Sequence, residues 1–193
     1  QDGSWAIPKG HAERGTIFDQ GREGAKVELL SPVALENLEG RRARTWLDQE
    51  LVAEAPTHTH DAGFGQEVRK ALRQRRAWLV EEGLAREDAS RTIYPRDMLS
   101  HLQAQELSAA GETFARGLGK PYAPATNGQV KGIYREPVQL VSGKFAVIEK
   151  SRDFTLVPWR PVLERELGKP VQGIMRGDTV SWTPGRSRGP GIT

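Results

Sequence analysis

Two imidazoles and a carboxylate fall within four residues at His58-Thr59-His60-Asp61, and no other stretch of the chain gathers metal-ligating side chains so closely. In an extended segment His58 and His60 lie on one side and could share a metal with Asp61. A third ligand is not identifiable, because His11 and His101 are remote in sequence. The histidines therefore read as exposed loop residues, and no metal is expected. Tyr94, Tyr122 and Tyr134 could in principle attack a phosphodiester, yet none sits beside a histidine or carboxylate set that would hold an activating metal. No phosphate-cradling glycine loop and no Ser-His-Asp order is present. The chain is expected to bind rather than catalyse, without a cofactor.

For binding, Arg69, Arg73 and Arg76 recur at helical spacing and form a basic stripe. Further on, Lys131, Arg135, Lys144, Lys150, Arg152, Arg160 and Arg176 are interleaved with Tyr134, Phe145, Phe154 and Trp159. Cations neutralise phosphates and exposed aromatic faces stack on unpaired bases, so both sets are candidate nucleic-acid contacts. Most of these aromatics read as core in preference to contacts. Period two puts Phe145 and Val147 on one side of a strand, as the interior of a barrel requires. Trp159 sits in "FTLVPWRPVLE" between two prolines; it reads as a corner plugging a barrel end, with Arg160 projecting outward.

The elements that must carry these residues follow from periodicity and breakers. "QEVRKALRQRRAWLVEEG" is the clearest helix, with Val68, Ala71, Leu72, Trp78 and Leu79 on one face and Gly83 as its stop. Arg75 points near that apolar face, which the pattern does not explain. Two short strands flank a turn at 88–90, and a second helix runs from about Asp97 to Leu118. Helix followed by hairpin is how a winged-helix unit ends. From Gln129 onward five short strands, with a brief helix at "PVLERELGKP" between the third and fourth, have the element order of a small barrel, OB-like or SH3-like. The expected class is α+β, a winged-helix-like helical unit followed by a small five-stranded β-barrel. Its expected divisions are 1–54, a remnant wing with a mixed α/β segment; 55–119, the helical unit; 120–183, the barrel; and 184–193, a flexible tail. Within the first of these, strands are expected near residues 5–7 and at "KVELL", with a weak helix from Lys9.

Charge is uneven across the 193 residues: 1–119 carry 16 basic and 19 acidic side chains, 120–193 carry 12 and 6. The excess of cations in the last third is compatible with a polyanionic partner. There is no cysteine, so no disulfide framework or thiolate zinc site, and a reducing compartment such as the bacterial cytoplasm fits. No run of about 18 apolar residues exists to span a membrane. The opening "QDGSWAIPKGH" aligns without gaps on "EDASRTIYPRD" at 87–97, matching Asp2 with Asp88, Ser4 with Ser90 and Ile7 with Ile93. That match reads residues 1–11 as the wing of an earlier unit, and the chain as a piece of a longer protein.

"DAGFGQEVRKALRQRRAWLVEEGLA", together with "GIYREPVQLVSGKFAVIEKSRDFTLVPWRPVLERELGKPVQGIMRGDTVSWTPGRSRGP", closely resembles the C-terminal region of bacterial relaxase/mobilisation proteins of the Ti-plasmid type. The likeness extends to "VELLS" and "TWLDQELV", and "FTLVPWRP" is its most specific phrase. The resemblance implies the non-catalytic C-terminal part of a conjugative relaxase, whose nicking tyrosine and histidine-bound metal belong to a domain N-terminal to this chain. His58-Thr59-His60 lacks the apolar middle residue of that family's metal motif, and no tyrosine here matches its nucleophile. Two roles follow as expectations. One is binding of single- or double-stranded DNA through Arg69, Arg73, Arg76, Lys131, Arg135, Lys144, Arg152, Trp159, Arg160 and Arg176. The other is delivery to a type IV secretion coupling protein, with Arg186 and Arg188 in the tail as the signal and translocation of the protein during conjugation as the outcome.

Overall fold

The computed structural model describes residues 31–54, 64–89 and 91–183. The expected elements within 1–30, the first half of the internal match, His58, His60 and Asp61, and the tail residues Arg186 and Arg188 lie outside the described residues. The chain divides into two compact units, Gln1–Glu106 and Leu107–Thr193. That boundary falls earlier than Gly119, where charge alone would cut the chain.

In the first unit a 3-10 turn, Leu35–Asn37, precedes helix α1, Trp46–Val52. The stretch around Arg42, which periodicity does not phase, is organised by a cap. Thr45 takes the N-cap position and accepts from the Asp48 backbone N–H, while the Asp48 carboxylate accepts from the Thr45 N–H at 2.7 Å. Two of the helix's orphan donors are thereby satisfied reciprocally. Helix α2, Phe64–Glu81, follows. Gly83, in the left-handed region at φ +70°, closes it, with Gly83 N–H donating to Val80 and Leu84 N–H to Leu79. Strands β1, Arg86–Asp88, and β2, Arg91–Ile93, make the expected antiparallel hairpin, and helix α3, Met98–Leu118, follows. Leu79, Ala85, Met98 and Leu102 form the buried centre, flanked by Leu51, Trp78 and Tyr94.

Arg75 lies in the middle of the apolar face of α2 and is completely buried. Its Nε donates to Asp48 Oδ1 at 2.7 Å and its Nη2 to Asp48 Oδ2 at 2.9 Å. The remaining N–H groups reach the carbonyls of Glu39 at 3.1 Å, Arg41 at 2.6 Å and Ala43 at 3.0 Å, with Leu38 at 3.3 Å. The guanidinium carbon also stands 4.4 Å from the centre of the Trp78 ring. All five donors thus find acceptors, the condition for a guanidinium to be tolerated without water.

The second unit is a five-stranded sheet of β3 (Gly128–Leu140), β4 (Gly143–Glu149), β5 (Phe154–Pro158), β6 (Pro170–Arg176) and β7 (Thr179–Thr183), in the order β5-β4-β3-β6-β7. Every pairing is antiparallel. The fold class is α+β. The hydrogen-bonded ladder is open, with β5 and β7 as its ends. Strand β3 serves both halves: Gly128–Ile133 pairs with β6 and Ile133–Leu140 with β4, with a register shift between Tyr134 and Glu136. Such an irregularity bends a strand. Gly132 stands at the change of partner, where an added Cβ would collide with the Glu149 carbonyl oxygen.

One face of the sheet encloses Val130, Tyr134, Ala146, Ile148, Val157, Val171 and Val180, with Leu163 of the 3-10 turn Pro161–Leu163 inserted among them. The expectation that the Phe145–Val147 side of β4 forms this interior needs correction. Ala146 and Ile148 face it, whereas Val147, Phe154 and Leu156 pack on the opposite side against Leu107, Ala110, Phe114 and Leu118. A helix covers that side, so β4 is apolar on both faces and alternation cannot tell which one is inward.

Arg75→Met is expected to cost about 3–5 kcal/mol of unfolding free energy in urea, because Asp48 is left buried without its partner. Arg75→Lys should restore little of it, since an ammonium lacks the fork that binds two carboxylate oxygens. A loss below about 1 kcal/mol for Arg75→Met would contradict the assignment.

Candidate functional site

At about 100° per residue, fixing Arg75 inward turns Arg73 to the far side of α2 and sets Arg69 and Arg76 on its flank. Arg73 and Arg76 are exposed, and Arg69 is half-buried. Arg76 borders an open cavity of about 450 Å³ that is also lined by Glu87, Arg91 and Thr92 of the hairpin and by Tyr94 just after it. Leu51, at the end of α1, supplies its apolar side, and Ala89 in the hairpin turn lies at its rim. Glu87 and Thr92 are opposite one another across the two strands. Among the described residues no carboxylate forms an ion pair with Arg73, Arg76 or Arg91.

The sheet's cations are disposed differently. Lys131 and Arg176 are exposed and occupy positions opposite to the enclosed residues of β3 and β6, on the outer face that also carries Ile174 at 48% exposure. Arg152 is exposed in the turn before β5, and Arg160 is exposed as the N-cap of the 3-10 turn. Lys150 pairs with Asp153 at 3.2 Å. Arg135 is tied to Glu149, which also accepts from Lys120 Nζ at 2.6 Å. The hydrogen bond from Arg135, and then that from Lys120, pull the Glu149 carboxyl from its ordinary 4.5 down to about 2. Arg135 is consequently a neutralised cation.

The interleaved aromatics are inside. Tyr134, Phe145 and Phe154 are each at most 2% exposed. Trp159 packs on the enclosed cluster and donates its Nε1–H to the Tyr134 hydroxyl at 3.0 Å, while Lys144 Nζ lies 3.5 Å from the centre of its ring. A cation already occupies the face that a base would need. Burial raises the Tyr134 and Tyr122 hydroxyls above their ordinary pKa, and the Tyr122 ring lies 5.7 Å from that of Phe154. Tyr94 borders the hairpin cavity. Among the described residues no group of three metal-ligating side chains is placed to hold an ion. No described helix is long and apolar enough to cross a membrane.

A family model described as "protein of unknown function (DUF3363)" matches residues 1–191. The chain belongs to that family. No curated protein and no solved structure matches it.

Of the residues singled out from sequence, the structure joins Lys144 to Trp159 and sets Arg76 beside a cavity; Lys131, Arg152, Arg160 and Arg176 stand apart as exposed cations. Sequence reasoning passed over Glu87, Arg91 and Thr92, whose signal is their place in a hairpin directly after a basic helix. It also passed over Lys120 and Glu149, 29 residues apart and brought together only by folding.

The depressed Glu149 carboxyl stabilises the fold above pH 4.5, and that contribution is lost as pH falls toward about 2. Glu149→Gln should lower the urea midpoint at neutral pH and flatten its decline across this window. An unchanged acid limb in the variant would contradict the role given to Glu149.

Proposed function

We propose that this chain is the non-nicking C-terminal part of a conjugative relaxase, acting in plasmid or integrative-element mobilisation in the bacterial cytoplasm, and that its first unit holds DNA. The relaxase assignment is supported by the resemblance carried by "FTLVPWRP" and the surrounding sequence. One observation carries the DNA reading: Arg73 and Arg76 on α2 and Arg91 on the adjoining hairpin are exposed and free of ion pairs among the described residues. Cations that no carboxylate neutralises are what releases counterions from a phosphate backbone. We read α2 with β1 and β2 as a winged-helix-like arrangement in which α2 is the helix presented to DNA.

We read the sheet as an OB-type barrel. Its long first strand is shared between two partners, its order is β5-β4-β3-β6-β7, and β5 and β7 approach one another at the seam. Nucleic acid binds such barrels across their second and third strands. Here the corresponding outer face of β4 and β5 lies beneath Leu107, Ala110, Phe114 and Leu118; Tyr134, Phe145 and Phe154 are buried, and the half-buried Trp159 has Lys144 over its ring. This favours the first unit over the sheet as the principal DNA contact, although the sheet belongs to the more basic third of the chain.

Fluorescence anisotropy with single- and double-stranded oligonucleotides at two salt concentrations tests the reading. Binding should weaken steeply with salt. Arg73→Glu and Arg76→Glu should each lower affinity roughly tenfold and reduce the salt slope by about 1, while Lys131→Glu and Arg176→Glu change it far less. Absent or salt-independent binding would contradict the proposal. If deleting residues 184–193 then abolished transfer while leaving nicking by the full-length protein intact, the result would favour delivery to a coupling protein through Arg186 and Arg188.

A further inference from the structure

The cavity beside Arg76 is too large and too mixed in charge to be explained by phosphate alone. At about 450 Å³ it falls in the range of small-molecule sites, roughly 300–1,000 Å³, and exceeds what one phosphate group fills. Arg76 and Arg91 are both among its lining residues, and a guanidinium can grip two oxygens of one anion. Glu87, an exposed residue of the lining, brings the opposite sign, and an ionised carboxylate only accepts hydrogen bonds, so it repels an anion and favours a donor. The Thr92 and Tyr94 hydroxyls both donate and accept, and Leu51 adds an apolar surface. A ligand that satisfies all of these walls has an anionic end, N–H or O–H donors at another end, and an apolar body between or beside them. In a duplex the phosphates are available but the Watson–Crick donors are paired, and the donors left at the groove edges lie away from the phosphates that two guanidinium groups would hold. In an unpaired nucleotide phosphate, sugar and base edge are all presented together.

We propose that this cavity seats one unpaired nucleotide of a DNA strand, its phosphate held by Arg76 and Arg91 and its base edge, or at a strand terminus its 3′-hydroxyl, facing Glu87. The inference rests on the DNA-holding reading and narrows it to an unpaired or terminal nucleotide at the helix–hairpin junction. The stripe Arg69, Arg73 and Arg76 then tracks the backbone leading to it, and the cavity takes the single nucleotide that leaves the stack. Leu51 and Tyr94 also flank the buried cluster of Leu79 and Met98, so two of its walls are fixed by the packing of this unit rather than formed on binding.

The test titrates the full chain with deoxyadenosine 5′-monophosphate and, separately, with inorganic phosphate, following amide resonances at low salt. The nucleotide should bind at least tenfold more tightly than phosphate, with its shifts concentrated at residue 76 and at 87–94. It should also displace a single-stranded oligonucleotide more readily than a duplex. Arg91→Glu should abolish nucleotide binding. Glu87→Gln, at an exposed strand position, should raise affinity for phosphate and narrow the gap between the two ligands. An unchanged urea midpoint in Glu87→Gln would show that the fold is intact. Equal affinity for nucleotide and phosphate, or nucleotide shifts confined to the sheet, would overturn the inference. If DNA still binds with a steep salt dependence in that case, the inference alone fails; if no DNA binds at any salt, the reading beneath it fails as well.

Discussion

A buried guanidinium must satisfy five N–H donors without water, and the way Arg75 does so organises the first unit. Its partners are one carboxylate, Asp48, and carbonyls spread over residues 38–43, so a single side chain of α2 holds α1 and the irregular segment before it. Asp48 is bound in turn by Thr45, whose N–H and hydroxyl both donate to Oδ2, at 2.7 and 2.9 Å. Helix cap and ion pair share one carboxylate. A buried pair of this kind adds little net stability over an apolar replacement of both partners, yet removing one partner is costly. Its consequence here is orientation: with Arg75 inward, Arg73 is turned to the far side of α2 and Arg76 to its exposed flank.

The sheet unit is governed by a different constraint, the sharing of β3 between two partners. The change of partner at Ile133 occurs beside Gly132 and the register shift at Tyr134, and it lets one strand curve through both halves of the sheet. Curvature brings Leu163 into the enclosed face, and Trp159 packs against that cluster with its indole N–H on Tyr134. The phrase "FTLVPWRP" is therefore built as a strand end and a corner. Trp159 is packed and covered by Lys144, and Arg160 is its exposed cation. The outer face of β4 and β5 is spent on packing under residues 107–118, so it is not open to a ligand.

How much of this was legible depended on whether the deciding contact was local. The α2 pattern, the Gly83 stop, the hairpin at 86–93 and the five strands all follow from short-range periodicity and breakers, and each is present. Helix α1 carried a readable signal, Thr45 followed three residues later by Asp48, a short-armed variant of the capping box. Arg75 was visible as an anomaly on an apolar face, but its answer lies 27 residues away at Asp48. The inward side of β4 was misread because both of its faces are buried. The cavity was not legible at all: Arg76, Glu87, Arg91 and Thr92 converge only when the hairpin folds beside the helix.

The claim that the outward flank of α2 and its hairpin hold DNA is tested most directly by hydrogen–deuterium exchange with and without a single-stranded oligonucleotide. The account predicts added protection in peptides covering 69–76 and 86–94, with none added across 145–157. Protection confined to the sheet, or no change anywhere in the chain under conditions that saturate binding, would contradict it.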